Sequence, residues 1–198
     1  MAAPRMPSSS KLTGPFWVYD IWSAYSHHHV DGRLPLDDIR LSEELALAQL
    51  AHIDRMKRQG VRFDAYMMNA YWHDPDGGYR SWSRRDWPNG PDRWIAGCHE
   101  RGLKPGLWFG TNWQARLRTP AAWADSLADF DRENPHKLVF FSLFEGGFLA
   151  DFMAVLQHWY DRGIRIFELD YANFRVATPA GWATLTAEEI HERNKAAL

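Results

Sequence analysis

With 198 residues and one cysteine, the chain can bury a single-domain core, but it has neither an internal disulfide nor a C-x-x-C zinc pair. Its 25 acidic and 23 basic side chains leave a formal net charge of -2. That balance supplies no long-range field towards nucleic acid or an anionic membrane surface, so neither is expected as a partner.

Residues 1 to 14 are rich in Ser, Pro and Ala without periodicity, and read as a disordered lead-in to one domain over 15 to 198. No apolar stretch follows the early basic residues, and no run approaches the roughly 18 apolar residues of a membrane span. A cytoplasmic protein is expected. PFWVYDIWSAY, 15 to 25, is the first strand-like run, and a polar loop beginning SHHHVDG follows it. SEELALAQLAHIDRMKRQG, 42 to 60, predicts a helix: Ser42 is placed to cap it, acids fill its first turn, and Leu45, Ala48, Ile53 and Met56 recur at helical spacing. Basic residues and Gly60 end it.

The pattern then resets. VRFDAYMMNAYW, 61 to 72, predicts a strand, PDRWIAGCHERG a helix closing on Gly102, and LKPGLWFGTN, 103 to 112, a third strand. Two helical patterns follow, TPAAWADSLADFDREN and FLADFMAVLQHWYDRG, separated by the apolar segment LVFFSLFEGG. IRIFELDYANF, 164 to 174, is the fourth strand, and TAEEIHERNKAAL starts as a capped helix.

Four strand-then-helix units with nearly continuous apolar strands predict an α/β fold with a parallel sheet covered by helices. A doubly wound nucleotide fold would carry a glycine-rich turn after its first strand. The chain has no G-x-G-x-x-G or P-loop, so no cofactor is expected. A (β/α)8 barrel instead gathers side chains at the C-terminal ends of its strands. Here those ends are Trp22 to Tyr25, Asn69 to Asp74, Trp108 to Asn112 and Asp170 to Asn173, each with aromatic and polar groups.

Three stretches carry a family resemblance: RMKRQGVRFDAYMMNAYWHDPDGGY, WPNGPDRWIAGCHERGLKPGLWF and IRIFELDYANF. Together they resemble the N-terminal half of the TIM-type catalytic barrel of α-galactosidase-like glycoside hydrolases, the melibiase group of family 36 and its relatives. The resemblance implies a carbohydrate substrate and a retaining two-carboxylate mechanism, with Asp170 as the catalytic nucleophile. Three departures accompany it. Glu168 stands where the family's K-x-D motif has lysine, Asn69 stands where the second strand ends in Asp, and G-T-N with Asn112 replaces a Glu-containing continuation of the third strand. The family's acid/base carboxylate lies on the sixth strand. The chain therefore reads as a fragment of a longer enzyme, inactive alone, with self-association through open barrel edges as a further expectation. The alternative is an inactive carbohydrate-binding remnant.

Asn69, Trp72, Trp108, Asn112 and Asn173 are the candidate substrate-binding residues. Against them stand the turn preference of Asn and the core preference of Trp. Glu168 reads as structural, paired with Arg165 or Arg175. His27, His28 and His29 alternate sides on an extended chain and cannot share one ion. HDPDGG begins like a calcium loop, but its twelfth position from Asp74 is Arg85, so no metal site is expected.

Overall fold

The computed structural model describes residues 14–22, 41–74, 78–114, 121–128 and 139–198. All of the expected lead-in except Gly14, the histidines 27 to 29, and residues 75 to 77 of HDPDGG lie outside the described residues. In chain order the elements are β1 (Val18–Asp20), α1 (Glu43–Arg58), β2 (Ala65–Met68), α2 (Asp92–Glu100), β3 (Lys104–Gly110), β4 (Trp113–Gln114), a 3-10 helix (Ala121–Ser126), β5 (Val139–Phe140), α3 (Phe148–Asp161), β6 (Ile166–Asp170), α4 (Pro179–Thr184) and α5 (Ala187–Ala197).

β1, β2, β3 and β6 pair in that order into one sheet, parallel throughout. These are the four strands expected from the sequence, each shorter than its apolar run. The helices between them stop at Gly60, Gly102 and Gly163, whose φ angles of 89°, 68° and 107° lie in the left-handed region that glycine enters without steric cost.

α1 is capped as expected, with Ser42 Oγ accepting from the Leu45 amide at 3.1 Å. Its buried stripe is Glu43, Ala46, Leu50 and Ile53, whereas Ala48 faces solvent. The inward stripe is decided by α2: a Cβ on Gly97 would lie 2.6 Å from Leu50 Cδ1, so the missing side chain lets the two helices meet there. The buried Glu43 carboxylate is satisfied by Asn89 Nδ2 at 3.0 Å and by Arg93.

One expected helix is different. In its described part, the stretch 119 to 134 is a 3-10 helix ending at Ser126, and Leu127 then bridges to Phe141. Ser126 Oγ donates to the Glu145 carbonyl at 2.7 Å and accepts from the Phe148 amide at 2.9 Å, which ties this turn to the start of α3. The apolar segment before α3 contributes β5, paired antiparallel with β4.

Among the described residues, three helices pack against the face of the sheet that carries Tyr19, Tyr66 and Phe109. On that face Tyr66 meets Tyr19 and Trp94 edge-on, and Phe109 contacts Phe152 and Phe167. Seven of the 11 tryptophans (Trp72, Trp82, Trp87, Trp94, Trp108, Trp123 and Trp159) are buried, so most of the high aromatic content is core. Cys98 is buried there too, and burial pushes its thiol well above the ordinary range. Helices packed on one face of a parallel sheet are the layering of a barrel wall, whereas a doubly wound sheet carries helices on both faces.

Candidate active site

The register identifies the residues of the face turned away from the helices. Asp20 pairs with Met67, Met67 with Gly106 and Gly106 with Ile166, so these four form one level. Two residues further along, side chains return to the same face: Asn69, then Trp108 opposite Glu168, then Gly110 opposite Asp170. Gly106 makes room at the lower level, since a Cβ there would lie 2.8 Å from Met67 Cε and 2.9 Å from Ile166 Cβ. Apart from Asp20, which ends β1 at the lower level, the polar groups therefore stand at the C-terminal end of the sheet, above Met67, Gly106 and Ile166.

Asp170 ends β6. Its Oδ2 accepts from Trp108 Nε1 at 3.3 Å and its Oδ1 from the Tyr171 amide at 2.8 Å, so one donor from β3 and one from its own chain orient the carboxylate. Trp108 is 5% exposed. It contributes an N–H to the site, and its ring face is packed away. Its carbonyl accepts from Trp72 Nε1 at 2.8 Å, and Trp72 is completely buried among Tyr79, Trp82, Phe109 and Trp159. Trp72, a substrate-binding candidate against which the core preference of Trp stands, is thus a core residue that supports the strand end from behind.

Asn69 is nearly buried. Its Nδ2 donates to Asp20 Oδ2 at 3.0 Å and its Oδ1 accepts from the Ala70 amide at 2.7 Å, which joins β2 to β1 at the rim. Asn112 is fully buried: Nδ2 donates to the carbonyls of Phe141 at 2.9 Å and Asn173 at 2.8 Å, and Oδ1 accepts from the Asn173 amide at 2.9 Å. Asn173 Oδ1 in turn accepts from the Arg175 amide at 2.9 Å. The Asn112 and Asn173 pair therefore clamps the loop after β6 to the end of β3, while Asn69 braces the rim next to Asp170's face.

Glu168 does not pair with Arg165, whose guanidinium turns to the carbonyls of Tyr160 and Ile164 and stacks over Tyr160. It shares the open face with Asp20 and Asp170. Burial first, then the charges of Asp20 and Asp170, raise its carboxyl above the ordinary range. Asp20 is not among the candidates that the sequence suggests, although the alternation in Val18, Tyr19, Asp20 carries the signal: Tyr19 packs towards α1, so its neighbour must face the other way. Among the described residues no group of three His, Cys, Asp or Glu side chains is placed to hold a metal ion, and no helix is long and apolar enough to cross a membrane.

No family model matches the sequence, and comparison with curated proteins finds no match. Solved structures do match. The α-galactosidase of Lactobacillus brevis superposes with a TM-score of 0.61 at 14% identity, over 92% of this chain and 24% of its own. The α-galactosidase of Thermus thermophilus, solved with p-nitrophenyl α-D-galactopyranoside, gives 0.59 at 19% identity over 94% and 37%. The family 36 α-galactosidase of Geobacillus stearothermophilus, solved with 1-deoxygalactonojirimycin, gives 0.58 at 14% over 92% and 24%. The chain thus has the fold of part of a TIM-barrel glycosidase and spans between about a quarter and two fifths of these neighbours.

Proposed function

We propose that these four strands form the nucleophile-bearing half of a retaining glycosidase site for α-galactosides, with Asp170 as the nucleophile. The observation that carries this reading is the position of Asp170: it ends the fourth parallel strand, on the face away from the helices, with both oxygens oriented by N–H donors. In the proposed reaction one Asp170 oxygen attacks the anomeric carbon and the bond to the leaving oxygen breaks. A second carboxylic acid protonates that oxygen, and water later releases the sugar from the aspartyl ester. The acid must stand across the sugar from Asp170, at about 5 Å. Glu168 and Asp170 share one strand and one side, so the acid is proposed to come from outside these four strands.

Glu168 favours a second reading, a sugar-binding module without turnover. It places a negative charge where the resemblance implies lysine. Titration with 1-deoxygalactonojirimycin, followed by tryptophan fluorescence, tests the site itself. The ring nitrogen of this iminosugar carries positive charge where the transition state does, so saturable binding that weakens at least tenfold in Asp170→Asn is expected. Binding unaffected by Asp170→Asn contradicts the assignment.

A further inference from the structure

The two tryptophan candidates, Trp72 and Trp108, are packed away, and Tyr171 presents an open aromatic ring beside Asp170. It is 57% exposed and directly follows Asp170, to whose Oδ1 its amide donates. Its ring leans on Trp113 at a centroid distance of 4.5 Å and approaches Trp108 edge-on at 6.3 Å. Trp108 is the residue that donates to the other oxygen of Asp170.

The backbone gives independent support. Tyr171 has a φ of 54°, in the left-handed region that bulky side chains rarely enter. Glycine or asparagine would occupy this turn with less strain, and a fold that needed only the turn has no reason to place a large exposed ring there. Exposed single aromatics are ordinary on surfaces. This one differs in being held in a strained conformation, backed by two indoles, and adjacent to the reacting carboxylate.

We propose, on the reading of the site given above, that Tyr171 is its substrate-positioning residue: the exposed ring face stacks on the sugar held against Asp170, and the left-handed turn fixes both the ring and the Asp170 carboxylate. Stacking on a sugar uses the ring face and not the hydroxyl, so the two can be separated by substitution.

The test uses the full chain, methyl α-D-galactopyranoside as probe, and ligand-observed NMR. Tyr171→Gly suits the backbone conformation and removes only the ring, so it is expected to melt at or above the temperature of the parent while its dissociation constant rises tenfold or more. Tyr171→Phe keeps the ring and is expected to bind within about twofold of the parent. Parent-like binding by Tyr171→Gly overturns the proposal and leaves the site reading intact, and so does loss of binding in Tyr171→Phe. If the parent shows no saturable response to the probe, both the proposal and the reading beneath it fail.

Discussion

Trp108 Nε1 donates to Asp170 Oδ2 at 3.3 Å, joining the third and fourth strands of the parallel sheet at the point where the open face meets solvent. The bond does more than hold strands together, because the other Asp170 oxygen is already engaged by the Tyr171 amide. A carboxylate with both oxygens engaged has a fixed plane, which in-line attack on a carbon requires. Trp108→Phe keeps an aromatic ring and removes the N–H. It is expected to slow covalent capture of an activated galactosyl donor by about 10- to 100-fold, the usual value of one hydrogen bond to a charged group. A mass-spectrometric time course checks this, and circular dichroism should show an unchanged fold.

Asn112 is the keystone of the loop after β6. Removing its fully buried amide leaves the Phe141 and Asn173 carbonyls and the Asn173 amide without this partner. Asn112→Ala is expected to destabilise the chain by about 2–4 kcal/mol, seen as a lower urea midpoint with an unchanged slope. Asn112→Asp should do no better, since it offers no donor to the two carbonyls.

His73 gives the chain an acid sensitivity. Its ring lies edge-on to Tyr79 at 4.5 Å and to Trp72 at 5.6 Å, and burial pulls the imidazole down to about 4. The unfolded chain therefore binds a proton that the folded chain refuses between pH 6.5 and about 4. Stability should be level above pH 6.5 and fall as the pH is lowered through that window. A full shift of this size is worth about 3 kcal/mol, and the partial exposure of the residue reduces it to about 1–2 kcal/mol. His73→Gln should flatten the slope of melting temperature against pH in this range.

Glu168 has the opposite sign. Its folded carboxyl is raised by burial and by Asp20 and Asp170, so the folded state retains a proton that the unfolded state loses. Its contribution is fully present below the ordinary glutamate value of 4.5 and is lost as the pH rises through the raised value. Glu168→Gln should therefore be the more stable protein at neutral pH, by less than about 1 kcal/mol because the side chain keeps much of its solvent. Equal melting temperatures at neutral and acidic pH for the two proteins would contradict the shared face of the three carboxylates.

The sheet was legible because its signals are local and repeated: apolar strands, amphipathic helices, and glycines at each helix end. Asp170 was legible for the same reason, as a carboxylate closing an apolar run. What the sequence concealed depends on contacts between distant segments. The spacing of Ala48 and Met56 suits a helix face, but Gly97, nearly fifty residues away, decides that Leu50 is the residue facing inward. The strand-end position of Trp72 and Asn112 does not reveal that Trp72 reaches the Trp108 carbonyl or that Asn112 bridges to Phe141. The pattern of 121 to 126 reads as an α-helix because its apolar spacing fits one, whereas Ser126 is captured by Glu145 and Phe148 and stops the turn. Tyr171 is not legible in the sequence because a left-handed φ at a tyrosine has no signature there.

The central claim is that Asp170 is a nucleophile, and the most direct test asks whether it forms a bond to sugar. α-Galactosyl fluoride has a leaving group that needs little protonation, so the step does not depend on an acid from elsewhere. The chain is incubated with it and followed by intact-protein and peptide mass spectrometry. The expected result is the gain of one hexosyl unit, mapped to the peptide containing Asp170 and absent in Asp170→Asn. A chain that stays unlabelled, or one labelled equally in Asp170→Asn, would contradict the account.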